Sequence, residues 1–169
     1  MKRNNIISLL IAFLFLSVTC NAYCTNELSY DDTVNIITET MANSTSYARK
    51  ESYGNIRFNN CILDYNVMGT YPVGDLYNMK FTNIDFSSLN DQESKTGHDY
   101  TAFILLNFRN NVQYKDDIKE LTISTVVVNV STDEKAQILF DAFLHLGKLC
   151  GAPKAIERSK LQTSNAIKN

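Results

Sequence analysis

The residues with the widest chemical repertoire in this chain are four cysteines, Cys20, Cys24, Cys61 and Cys150, and two histidines, His98 and His145. Structural zinc takes four thiolate or imidazole ligands, usually in closely spaced pairs. No two cysteines have knuckle spacing and these are the only histidines, so no metal is expected. A nucleophilic thiol needs a base beside it. The sequence marks none, which leaves the cysteines a structural role. His98 stands next to Asp99 in a polar stretch, and His145 falls on the polar side of an amphipathic pattern. Each reads as a surface histidine without a visible partner. Asp116 and Asp117 are adjacent acids, which would point to opposite faces of a strand or face water in a turn. The turn is the expectation. A Gly-rich phosphate loop, a dinucleotide fingerprint and a Gly-x-Ser-x-Gly elbow are all missing from the sequence. No catalytic residue and no cofactor are therefore expected. Tyrosines are the remaining candidates. Tyr65, Tyr71 and Tyr77 flank a loop containing Gly and Pro, a composition that makes contact surfaces. The competing expectation is that Tyr65 and Tyr77 are cross-strand partners holding a sheet.

The amino end places these residues in a compartment. Lys2 and Arg3 precede an apolar run from Ile6 to Val18. Its length of about 13 suits a signal peptide and falls short of the ~20 residues a membrane span requires. Cys20-Asn21-Ala22 then offers small residues for cleavage before Tyr23. Residues 1–22 are expected to be a cleaved signal peptide. The alternatives are an uncleaved anchor and acylation of Cys20, for which Ser17-Val18-Thr19 is a poor lead-in. Cleavage leaves three cysteines in a setting where disulfides persist. Cys61 lies in a strand pattern and Cys150 ends a helix pattern, so Cys61–Cys150 is the expected pair and Cys24 the odd thiol.

Charge narrows the partners. The whole chain has a net charge of −2, and loss of Lys2 and Arg3 takes it to −4. Nucleic acid requires a clustered basic footprint, and anionic lipid a basic surface. Neither is expected as a partner. With 44% hydrophobic residues, nine Tyr and nine Phe, the mature chain is long enough to bury one core.

The elements that must position these residues follow from periodicity. Ser29 can cap a helix over about 30–43, with Tyr30, Val34, Ile37 and Met41 on one face. Strand alternation follows at 56–59, 61–67, 77–86, 102–108 and 121–130, with a short strand at 112–114. The run 102–108 is apolar on both faces over its middle, which marks a central strand. Residues 68–75 and 87–99 read as loops, and Arg109-Asn110-Asn111 as a turn. Ser131 with Glu134 forms a capping-box signature for a last helix. Its apolar stripe is Ala136, Leu139, Phe140, Phe143, Leu146, Gly147 and Cys150, ended by Gly151 and Pro153. The expected fold is α+β: an N-terminal helix, a curved antiparallel sheet or partly open barrel of about 5–7 strands, and an amphipathic C-terminal helix packed on it. Residues 23–151 form the single domain and 152–169 a flexible tail.

The strand ending Val126-Val127-Val128-Asn129-Val130, the Ser131-Thr132-Asp133-Glu134 cap and the helix ending Leu149-Cys150-Gly151 resemble the close of a group of largely uncharacterised small exported bacterial proteins. Ile56-Arg57-Phe58-Asn59-Asn60-Cys61 is similar to their first-strand motif, which implies that it supplies the partner cysteine. The resemblance covers roughly residues 30–151. A sheet closed by a C-terminal helix also looks like a pleckstrin-homology-type barrel, a fold analogy that carries no function. The usual phosphoinositide site of that fold would need Lys or Arg between Asn66 and Asn78, and there is none.

These readings lead to an exported chain, periplasmic or extracellular, with no transmembrane segment once mature. The expected role is a non-catalytic binding or accessory module of the cell envelope, recognising a protein or a small apolar ligand. The alternative is an enzyme whose site is assembled from Asp, Glu, Tyr and His98. Intact mass after export should match residues 23–169 with one alkylatable thiol; a diacylglyceryl increment on Cys20 would show a lipoprotein instead.

Overall fold

Ser29 opens the first helix as a capping box. Its side chain accepts from the Asp32 N–H, while the Asp32 side chain accepts from the Ser29 N–H. Asp31 and Asp32 stand in the first turn, where the helix dipole favours acids. This helix, α1, runs Tyr30–Ala42 and buries Thr33, Ile37 and Met41 at the four-residue spacing of one face. It belongs to a computed structural model that describes residues 27–46, 50–71 and 74–153. The expected signal peptide, Cys20, Cys24 and nearly all of the expected tail lie outside those residues.

Six strands follow: β1 (Ser52–Asn59), β2 (Ile62–Thr70), β3 (Leu76–Asp85), β4 (Lys95–Asp99), β5 (Thr101–Asp116) and β6 (Glu120–Val130). A 3-10 turn, Phe86–Ser88, follows β3, and the last helix, α2, spans Asp133–Leu149. The fold is α+β, with one open antiparallel sheet of six strands. Its path is β1-β2-β3-β5, with β6 and β4 also paired to β5. β5 is central, as its two apolar faces predict. β6 covers one edge over almost its full length. The other edge is shared, with β4 along residues 101–105 and β3 along residues 113–116.

Three expectations about the strands need correction. The stretch 87–99 is not all loop, because Lys95–Asp99 pairs with β5; its Lys-Thr-Gly-His-Asp sequence is largely solvent-facing and carries no apolar alternation. Arg109-Asn110-Asn111 is not a turn between two strands but a bulge within β5. Asn107 pairs with Thr125 and Val112 with Ile123, so three extra residues of β5 loop out. An odd insertion moves the even-numbered residues to the other face. The loop placed at 68–75 is shorter, since β2 continues to Thr70 and β3 begins at Leu76.

α2 also begins one residue later than its sequence signature implies. Thr132, not Ser131, is the cap, and its side chain accepts from the Lys135 N–H. Ala136, Leu139, Ala142, Phe143, Leu146 and Gly147 are buried on the stripe facing the sheet, where the helix packs on β4, β5 and β6. Across from them lie the even residues of β6, Val126, Val128 and Val130, paired with Leu106, Ile104 and Ala102 of β5. The two helices run antiparallel side by side. Lys135 Nζ donates to the Asn43 carbonyl (2.6 Å) at the end of α1, satisfying a helix-terminal acceptor with a cation. His145 Nε2 lies 2.8 Å from the Leu28 carbonyl just before α1 begins.

The turn Asn60-Cys61 gathers the helix layer. Tyr30 of α1 donates to the Asn60 carbonyl, and the Phe86 N–H donates to the Cys61 carbonyl (2.9 Å). The Cys61 and Cys150 sulfurs lie at disulfide distance (2.06 Å), joining the turn to the end of α2. Phe86 stacks on Phe143 of α2 (5.5 Å between centroids) and meets Phe108 of β5 edge-on. One short turn thus anchors both helices and the exit from β3. A cross-link spanning 89 residues removes much loop entropy from the unfolded chain. Replacing Cys61 and Cys150 together by serine should lower unfolding free energy by about 2–5 kcal/mol in urea titrations; an unchanged midpoint would show that noncovalent packing alone holds the layer.

Candidate functional site

The face of β5 and β6 turned away from the helices is not covered. Along β6 the odd residues Leu121, Ile123, Thr125, Val127 and Asn129 line one wall of a groove. β5 contributes Phe103, Leu105 and, beyond its bulge, Tyr114, while β3 adds Met79 and Phe81. The bulge is what lets residues of opposite parity, Leu105 and Tyr114, share this surface. The groove encloses about 730 Å³. Leu121 and Val127 remain 42% and 43% exposed on its floor, a degree of exposure that marks the surface as unfilled.

The groove ends at Glu51, just ahead of β1, and Asn129, near the end of β6. Glu51 is only 2% exposed. Its Oε1 accepts from the Tyr77 hydroxyl and its Oε2 from Asn129 Nδ2, each at 2.5 Å. Tyr53 completes the cluster. Its hydroxyl donates to the Asn129 carbonyl and accepts from the Asn129 N–H, both at 2.8 Å. β1 and β6 are the outer strands of the path β1-β2-β3-β5-β6, so this side chain ties together opposite edges of the sheet. Burial holds the Tyr53 phenol well above its ordinary range, with the neighbouring Tyr65 and the Glu51 charge adding to the rise. Tyr65 is raised by burial and then by Glu51. Its buried hydroxyl has no hydrogen-bond partner among the described residues.

Two glycines shape the site by lacking a side chain. Gly69 pairs with Tyr77, and a Cβ built on Gly69 would stand 2.4 Å from the Tyr77 ring. Gly97 pairs with Phe103, and its Cβ would likewise meet that ring at 2.4 Å. Each ring lies over a glycine on the neighbouring strand, which sets its height above the sheet.

The sequence-named residues fall in separate places. Tyr65 is 1% exposed, stacked on its cross-strand partner Phe81 (5.0 Å) and edge-on to Tyr53. It is a core residue, not part of a contact surface. Tyr77 pairs with Gly69, so Tyr65 and Tyr77 are not opposite one another. Tyr71 is exposed at the hairpin tip, 4.7 Å from the Tyr77 ring. His98 pairs with Asp133 at the start of α2 (2.8 Å), both largely exposed. Asp116 caps the β5–β6 turn, accepting from the N–H groups of Ile118 and Lys119 and from the Tyr114 hydroxyl. That hydroxyl, then the two N–H groups, lower the Asp116 carboxyl below its ordinary value. Tyr114 is pushed to about 12, first by burial and then by its bond to Asp116. No group of three or more His, Cys, Asp or Glu side chains among the described residues is arranged to hold a metal.

Glu51, Tyr53 and Asn129 went unmarked in the sequence because Asn129 meets the other two only through the fold, Tyr53 and Asn129 being 76 positions apart. The one local signal is a lone acid at the start of a strand. Comparison with protein-family models, with curated proteins and with solved structures finds no match for this chain.

Gly69→Ala should therefore push the Tyr77 ring off Glu51 and destabilise the fold by about 1–3 kcal/mol through overpacking. Gly54→Ala is the control, since a Cβ there meets nothing within 4 Å; its unfolding midpoint should barely move. Equal effects of the two would mean that the ring contact does not set the geometry.

Proposed function

We propose that this chain is an exported, non-catalytic binding module of the cell envelope that takes a small apolar ligand on the uncovered face of its sheet. The observation that carries this reading is the groove. Its volume of about 730 Å³ falls within the range of about 300–1,000 Å³ common to small-molecule sites. Its floor is aliphatic and aromatic, with Glu51 and Asn129 at one end and Lys119 at the other, and such sites bind by burial and orient by a few polar groups. Export is supported by the Lys2-Arg3 and Ile6–Val18 pattern and by the Cys61–Cys150 pair at disulfide distance. No helix among the described residues is long and apolar enough to cross a membrane.

The sheet's curvature, with Tyr53 bonded to Asn129 across its outer strands, is consistent with a partly open barrel of the pleckstrin-homology type. The enzyme alternative has less support. It drew on His98, which engages Asp133 rather than the groove.

N-phenyl-1-naphthylamine, an uncharged fluorophore that brightens in apolar surroundings, should bind the wild-type protein at micromolar concentrations. Val127→Asp places a charge on the half-exposed floor and should weaken that binding by about tenfold or more, the expected penalty for an unpaired charge against an apolar ligand. No fluorescence change with the wild-type protein would reject the reading.

A further inference from the structure

The groove carries Lys119 at the β5–β6 turn and a buried acid, Glu51, at its other end, and the chemistry at the Glu51 end sets what its ligand must carry. Glu51 is almost wholly buried yet forms part of the groove wall. Both of its hydrogen bonds come from neutral donors, the Tyr77 hydroxyl and the Asn129 amide. The ion pairs among the described residues, His98–Asp133 and Lys115–Glu120, lie elsewhere. No side-chain cation among the described residues therefore meets Glu51. A carboxylate offers about four lone-pair directions, so two hydrogen bonds leave accepting capacity unused.

A buried carboxylate held only by neutral donors is costly to keep charged, and a cation brought against it offsets that cost. An ammonium group suits the position. It carries three N–H donors and no acceptor. We propose that the ligand of this groove is a cationic amphiphile: a small molecule with an apolar body along β5 and β6 and a protonated amine docked on Glu51. This rests on the groove being a ligand site, as read above.

The source is a free small molecule rather than a lysine on a partner's added strand. Strand addition here would need the outer edge of β6. At Asn129 both backbone groups on that edge are already taken by the Tyr53 hydroxyl.

The test is displacement of N-phenyl-1-naphthylamine by decylammonium and by 1-decanol, which share a chain and differ in charge. Decylammonium should bind the wild-type protein about tenfold or more tighter than 1-decanol, as a charge-assisted contact predicts. In Glu51→Gln, which keeps the size of the side chain and removes its charge, the advantage of decylammonium over 1-decanol should vanish. Equal binding of the two by the wild-type protein overturns the cation site and leaves the groove standing. Binding of neither, nor of the fluorophore, overturns the groove reading beneath it. Glu51-dependent capture of the peptide acetyl-Leu-Lys-Leu-amide without decylammonium binding overturns the small-molecule source. The wild-type comparison decides the question even if Glu51→Gln does not fold.

Discussion

What is bonded to the backbone of Asn129 determines the form of this sheet. An outer strand normally leaves a row of N–H and C=O groups for water or another chain. Here the Tyr53 hydroxyl, acting as donor and acceptor at once, satisfies both groups of one residue on β6 from the far side of the sheet. The bond requires the sheet to curl until its first and last strands approach. Curling brings Glu51 against Asn129 and turns the exposed side of β5 and β6 into a concavity. Without that contact the same strands would present a flatter apolar surface, with no polar end and no enclosed volume.

The two sides of β5 and β6 divide the work of the molecule. On one side, interleaved aliphatic residues and two antiparallel helices make a filled core, locked at the Asn60-Cys61 turn by Tyr30, Phe86 and Cys150. On the other side, aromatic rings sit over glycines and leave space. The covalent cross-link lies in the first layer, and the second is braced by rings, Tyr65 on Phe81 and Phe81 against Tyr114, that leave the groove open. Burial of Leu139, Phe143 and Leu146, all at 0% exposure, anchors the sheet against which the groove is shaped.

Local chemistry was legible in the residues themselves. Ser29 and the acids after it mark α1, the stripe from Ala136 to Gly147 marks α2, and the doubly apolar run 102–108 marks the centre of the sheet. The alternation around Cys61 and the stripe ending at Cys150 pointed to their pairing, although Cys61 lies in the turn before β2 and Cys150 caps α2. Features that depend on partners distant in sequence were not legible. β4 is an edge strand whose side chains mostly meet water, so no alternation betrays it. The β5 bulge breaks the two-residue period, and polar Arg109-Asn110-Asn111 then imitates a turn. Tyr65 has the composition of a contact residue, and only the stacking of Phe81 and Tyr53 shows that it is core. Glu51 became notable only once Tyr77 and Asn129 stood beside it.

The contacts that complete each layer join early residues to late ones: Tyr53 to Asn129 across 76 residues, Cys61 to Cys150 across 89. Contacts so far apart in sequence are slow to form, because a large loop must close before they repay its entropy. A chain emerging amino end first can pair β1, β2 and β3 as hairpins, but neither the curl of the sheet nor the anchoring of α2 can be reached until its last quarter is free. Folding of this domain is therefore governed by the arrival of its carboxyl end, and a chain stalled before β6 would expose both of its apolar faces.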